Sequence, residues 1–423
     1  MTEATPEAVR DEVKAFLADQ WGPDLTVAEW WQRLSDGRWA VPTWPESALG
    51  RGYPGDLARV VADELRDAGA VGGPAGLGIL LAGPTISTHG TPEQQERYLP
   101  PIVNGQEAWC QLFSEPGAGS DLASLQTKAE RDGDEWVITG QKVWTSGGQV
   151  ADLGMLLART DPDAPKHQGI SYFAFSMDQP GVEVRPLREM TGRALFSEVF
   201  LDGARVSNDA LIGGLNKGWA VANTTLAFER AGLGGGGSGA GGAAFPGHKT
   251  GALTMRVGDI ASGIGSGRSV QPSAFGGSYA MFRDLAEKVG CAQDPVIRQK
   301  LSELYTLNEI GRMTSLRLKA ARAAGRDLGP AGNLAKLLMS RITRLTRDLG
   351  PEILGPEGML MGESTTGGGV VQEMTLFAPA PSIYGGSDEI QKNIIGERAL
   401  GLPKEPGPDK NTPFRELKVG TQA

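Results

Sequence analysis

The sequence predicts an α+β chain in which helices come first, strands follow and helices return. Three observations predict that order. Residues 1–108 place Val9, Val13, Phe16 and Leu17 on one face at helical spacing. Residues 109–213 break into short extended runs separated by Gly, Pro and Asp. From about Lys217 onward helical stripes reappear: Ile297, Leu301, Leu304 and Tyr305 make one, and Leu334, Leu338, Ile342, Leu345 and Leu349 make another.

In the first segment, Pro74, Pro84 and Pro92 mark breaks between helices. Thr91-Pro92-Glu93 reads as a helix start, because a threonine hydroxyl caps free N–H groups and proline suits the first helical position. In the second, "TKAERDGDEWVITGQKVW" holds two extended runs around Asp132-Gly133, a hairpin turn signal. "DLGMLLART", "GISYFAFSM", "GVEVRPL" and "SEVFLDGARV" are further strands. In the third, a Gly/Ala/Ser-rich stretch of about 232–278 interrupts the helices. Each glycine disfavours helix by about 1 kcal/mol, so much of it is expected to be loop. The domain partition is 1–108, 109–213 and 214–403, with a polar tail over 404–423 that is expected to be loosely held.

The 423 residues suffice for two or three domains, with 40% hydrophobic and 22% charged residues, as in a globular protein. A net charge of −9 disfavours nucleic acid and anionic membrane surfaces as partners. With no apolar run of spanning length and no secretory signature in residues 1–20, a cytoplasmic protein is expected. Two cysteines and three scattered histidines offer no disulfide framework, no metal site and no Ser-His-Asp triad.

Several motifs carry chemistry. "GLGGGG" at Gly232–Gly237 has dinucleotide-loop spacing, but helix precedes it and more glycine follows, which is the wrong context. "GGAAFPGHKT" misses a P-loop because His248 occupies the lysine position. "FSEPGAGSD", Phe113–Asp121, suits a tight turn whose N–H groups and hydroxyls cradle a flavin edge or phosphate, or is an ordinary β-turn. "KVWTSGG", Lys142–Gly148, sets Trp144 beside Thr145 and Ser146, which suits an isoalloxazine ring or a core tryptophan next to a loop.

In combination these blocks, with "FSEVFLDGARV" and the C-terminal "IYGGSDEIQKNIIGERALGLP", resemble the acyl-CoA dehydrogenase family from about Ala4 to Pro403. The resemblance implies an N-terminal helical domain, a middle β-barrel-like domain and a C-terminal four-helix bundle. It also implies FAD, oxidation of the Cα–Cβ bond of an acyl-CoA, and an electron-transferring flavoprotein as acceptor. Gln111, Phe113, Ser114, Trp144, Thr145 and Ser146 would lie along the flavin, and Ser120 would face flavin and acyl-CoA. Ser387 and Glu389 match positions that touch the FAD of a neighbouring subunit, implying a dimer or tetramer of like or unlike chains.

Many members carry their catalytic glutamate directly after the tyrosine matching Tyr384, where this chain has Gly385. A minority branch places the base in an L-x-x-E-R helix, which Leu226-Ala-Phe-Glu229-Arg230 matches. Glu229 is therefore the expected base, the alternative being a solvated Glu229-Arg230 pair. Arg230, Gly385 and Gly386 are expected at the substrate, with a Gly385 backbone N–H polarising the thioester carbonyl. The family's R-x-x-F-G loop is absent, leaving Arg298 as its stand-in. The Gly-rich stretch is similar to that of actinobacterial members acting on bulky acyl-CoAs, such as steroid side chains or ring fragments. A non-catalytic subunit or a flavin oxidase on the same fold are the competing readings.

Overall fold

The computed structural model describes residues 4–234, 244–262, 277–326, 329–362, 364–404, 406 and 411–418. The first helices are α1 (Pro6–Gln20), α2 (Val27–Asp36), α3 (Gly55–Asp67), α4 (Gly83–His89) and α5 (Pro92–Val103). Val9, Val13 and Leu17 are buried with Trp30 and Trp31, as the spacing predicts. The α5 start is a capping box: the Thr91 hydroxyl accepts from Gln94 N at 3.3 Å, and Gln94 Oε1 accepts from Thr91 N at 3.0 Å. A π-turn over Gly78–Ala82 leads into α4.

Eight strands follow: β1 (Trp109–Leu112), β2 (Lys128–Asp132), β3 (Glu135–Ser146), β4 (Leu153–Arg159), β5 (Ile170–Ser176), β6 (Val182–Leu187), β7 (Phe196–Ser207) and β8 (Leu211–Ile212). They form one sheet in the order β6-β7-β3-β2-β4-β5-β8, with β1 parallel to β4. The β2–β3 hairpin turns at Gly133 with φ 64°, which glycine adopts without a Cβ clash. β4 and β5 are covered on both faces, which explains their unbroken apolar runs. The β3–β7 register shifts between Lys142 and Thr145, a bulge that re-aims the side chains around Trp144.

Helices return with α6 (Gly218–Gly234), α7 (Val257–Ala261), α8 (Tyr279–Val289), α9 (Pro295–Ala323), α10 (Ala331–Leu354), α11 (Val370–Phe377) and α12 (Asp388–Arg398). α10 is the hub, touching α6, α8, α9, α11 and α12.

The structure refines three expectations. The leucine stripe of α10 is only partly its buried face, since Leu334 is 49% exposed. Besides the buried Met339, Leu349, Ile353 and Leu354, Asn333, Lys336, Ser340, Thr343 and Thr346 also turn inward, a polar stripe at the same helical spacing. The Gly-rich stretch is not all loop: within it, Leu253, Val257 and Ile260 join the Trp30–Trp31 core. Val27 N donates to Met255 O and Val257 N to Leu25 O, each at 2.9 Å, so this piece returns to the N-terminal helices. Residues 235–243 and 263–276 of the stretch lie outside the described residues. Nor is the tail loosely held over 411–418. Phe414 N donates to Ala164 O at 3.0 Å, and the buried Phe414 ring lies 3.6 Å from the Arg159 guanidinium.

Candidate active site

The two central motifs are tied together by backbone and by charge. Val143 N donates to Ser114 O at 2.9 Å. Lys142, with 0% of its side chain exposed, reaches from β3 into the "FSEPGAGSD" turn. Its ammonium donates to Glu115 Oε1 at 2.8 Å and to Phe113 O at 3.1 Å. Glu115 also accepts from Gln126 N at 2.6 Å and Thr127 N at 2.9 Å. Burial pushes the Glu115 carboxyl up, but Lys142 and these donors outweigh it and hold the pKa below its ordinary value. Arg159 donates to Ala123 O at 2.6 Å and to Lys166 O at 2.7 Å, so it holds the segment that follows the turn.

Trp144 sits on the bulge with φ 61°, a backbone region that bulky residues rarely occupy. The residue is 57% exposed, and its ring stands edge-on to Phe196 at 5.9 Å. The hydroxyls of Thr145 and Ser197 beside it are buried with no hydrogen-bond partner among the described residues. A flat aromatic next to unsatisfied hydroxyls suits a planar heterocycle with polar edges, so these residues fit a flavin.

Glu229 lies between the middle and C-terminal segments. α6 carries it, and Gln111 Nε2 of β1 donates to its Oε2 at 3.3 Å. Desolvation raises the Glu229 pKa, opposed by the Gln111 amide, Arg230 and Lys336 in that order. Tyr384 faces it from the C-terminal turn, its phenol pushed up by burial and by the Glu229 charge. Gly385 and Gly386 follow with φ 62° and 80°. A Cβ on Gly386 would come 2.5 Å from Gln391 Nε2, so a side chain there would displace that amide and would be strained by the positive φ. That amide grips the turn, donating to Gly385 O at 2.9 Å and Gly386 O at 3.3 Å. Replacing Gln111 with leucine removes the donor that best stabilises the carboxylate. The acidic limb of the kcat/KM–pH profile should then move to higher pH, and an unmoved limb would show that the 3.3 Å contact plays no part.

The structure brings Glu229, Gln111, Tyr384, Gly385 and Gly386 together, with Arg230 half-buried next in α6. The Phe113 ring belongs to the core, edge-on to Tyr172 at 6.0 Å. Ser120 is exposed at the turn, and the Ser387 hydroxyl caps α12 by accepting from Ile390 N at 3.3 Å. Glu389 is exposed in the first turn of α12. Arg298 is not joined to this cluster: it stands exposed in the first turn of α9. Lys336, Asn333 and Gln391 were not expected. Their signal was the Asn333-Lys336-Ser340 spacing, which marks a second, polar face on α10.

A helical–sheet–helical chain with a carboxylate facing a glycine turn, and with an exposed tryptophan next to unsatisfied hydroxyls on its sheet, fits an oxidoreductase of the flavoprotein dehydrogenase type. Residues 2–106, 110–203 and 274–400 match the N-terminal, middle and C-terminal domains of acyl-CoA dehydrogenases. The chain belongs to the acyl-CoA dehydrogenase family. It is 38% identical to acyl-CoA dehydrogenase IpdE1 of Mycobacterium tuberculosis, over 94% of this chain and 98% of that one. Among solved structures it is similar to the Tcur3481-Tcur3483 steroid ACAD, with a TM-score of 0.70 and 27% identity over 96% and 99% of the two chains. The ChsE4-ChsE5 complex from Mycobacterium tuberculosis gives a TM-score of 0.68 at 27% identity, over 96% and 100%. The family is generally FAD-dependent. No helix among the described residues is long and apolar enough to cross a membrane.

Proposed function

We propose that the chain catalyses FAD-dependent dehydrogenation of a bulky, branched or steroid-derived acyl-CoA to its trans-2-enoyl-CoA, with Glu229 as the base. The observation that carries this reading is the Glu229 carboxylate, desolvated and held by Gln111 opposite the Tyr384 turn, while the alternative base position is Gly385. The Glu229 carboxylate removes the proton from Cα, and the desolvation that raises its pKa makes it a stronger base. Among the described residues the Gly385 N–H donates to no protein acceptor, which suits it to polarise the thioester carbonyl. Gln111 keeps the carboxylate oriented. FAD, when bound, supplies the acceptor for the hydride leaving Cβ. Trp144, Thr145 and Ser146 would hold it, with the Phe113–Ser120 turn at its edge. An electron-transferring flavoprotein takes the electrons onward.

A bulky substrate is supported by the likeness to a steroid ACAD. Assembly with a second chain, like or unlike, is supported by the outward apolar residues Ile310, Met313 and Leu316 of α9, near the exposed Leu334 of α10, and by two solved relatives whose names pair two chains. Anaerobic titration of the purified flavoprotein with straight-chain, branched and steroid-derived acyl-CoAs tests both. Flavin bleaching is expected with the bulky thioesters. Efficient bleaching by straight-chain thioesters alone overturns the substrate class. Bleaching that requires an added partner chain assigns the activity to a heteromer.

A further inference from the structure

We propose that Thr225 is a positioning residue for the base: the buried hydroxyl pair that it forms with Thr85 sets the height and aim of Glu229 opposite Gln111. The proposal rests on the dehydrogenase reading with Glu229 as base.

Thr225 stands four residues before Glu229 on α6, so the two side chains share one face, one turn apart. Thr85 of α4 and Thr225 are both 0% exposed, and their hydroxyl oxygens are 3.0 Å apart. The Thr225 hydroxyl also donates to Val221 O at 3.2 Å. That commits its single proton, so Thr85 is the donor of the pair. The neighbouring threonine repeats the arrangement. Thr224 Oγ1 donates to Ala220 O at 3.4 Å and stands 2.8 Å from His89 Nε2. Thr85 and His89 are four residues apart on α4, so one face of that helix meets two adjacent hydroxyls of α6.

Stability alone does not call for these hydroxyls. Two valines of the same shape would fill the buried contact, and replacing both partners of such a bond by apolar groups is nearly neutral. A threonine hydroxyl bonded to the carbonyl four residues back also slightly destabilises its helix and bends it. What the pair adds is direction. Apolar side chains tolerate a slide of one helix on the other, whereas a slide by one residue's rise, about 1.5 Å, breaks a hydroxyl–hydroxyl bond. One turn further along α6, the Gln111–Glu229 contact is already long at 3.3 Å and has little tolerance to spare. A base misplaced by about 1 Å loses about a hundredfold in rate, so the register of α6 on α4 bears directly on proton abstraction.

The test uses FAD-loaded full-length protein carrying Thr225→Val or Thr85→Val/Thr225→Val. The single variant leaves the Thr85 hydroxyl buried without its partner and should lower the melting temperature. The double variant removes both hydroxyls and should bring the melting temperature back close to that of the parent. In both, kcat should stay at least about tenfold low, with the KM for acyl-CoA within about twofold of the parent. Thr225→Ser, which keeps the hydroxyl, should restore kcat. The acidic limb of kcat/KM in the double variant should move in the same direction as in Gln111→Leu, and adding Gln111→Leu should move it no further. A kcat that returns with the melting temperature in the double variant, or a limb that Gln111→Leu still moves there, reduces the pair to packing and overturns the role of Thr225. An active Glu229→Gln overturns the assignment of the base, and this proposal with it.

Discussion

Replacing Glu229 with glutamine is expected to lower turnover by about 10²–10⁴-fold while FAD and acyl-CoA stay bound. Glutamine keeps the shape of the side chain and its place opposite Gln111, but it accepts no proton. The site should hold its ligands and stall at Cα. Ligand retention is read by the flavin spectrum on adding thioester, and turnover by anaerobic bleaching. A rate within a few-fold of the parent would place the base elsewhere. Adding Gly385→Glu to this variant should not restore activity. A side chain there must adopt φ 62°, which costs about 1–2 kcal/mol for an L-residue, and the turn is already gripped by Gln391.

The second large effect falls on stability. Lys142→Met leaves Glu115 buried without its cation, and removing one partner of a buried pair costs about 3–5 kcal/mol. Equilibrium denaturation of the holoprotein should show that loss, together with weaker flavin retention, because Lys142 also holds the Phe113 carbonyl at the root of the turn. The pH dependence has a definite sign. The folded Glu115 pKa is depressed, so the stability it contributes is present above the ordinary glutamate pKa of about 4.3 and is lost as pH falls through the lower folded value. The parent should therefore lose an acid-side increment that Lys142→Met lacks. Equal denaturation midpoints for the two proteins would show that the pair contributes nothing net.

Much of the fold was legible because it is written in local periodicity. The apolar face of α1, the capping box at Thr91 and the Asp132-Gly133 hairpin each follow from residues adjacent in sequence. The motif blocks and Glu229 were legible through resemblance, and the contact between Glu229 and Gln111 brings a helix and a strand of that reading together. What escaped was non-local. In the Gly-rich stretch, composition hid Leu253, Val257 and Ile260, whose spacing alone announced a buried face. In α10 the leucines drew attention to one face, while the face that matters for the site is polar, and polar residues signal burial only once their partners are known. Lys336 finds those partners at Pro381, Tyr384 and Asp388, well beyond any sequence window.

The docking of residues 411–418 has a consequence for how the protein is made. Phe414 covers Arg159, the side chain that holds the carbonyls of Ala123 and Leu125 behind the "FSEPGAGSD" turn. During synthesis domains fold as they emerge, so the sheet is out and pairing long before Phe414 leaves the ribosome. The middle domain must wait with Arg159 uncovered until Phe414, far downstream of the last strand, arrives. Ribosome-stalled chains ending before residue 411 should thus carry a formed sheet whose Arg159 side is open to protease, and release of the full chain should close it.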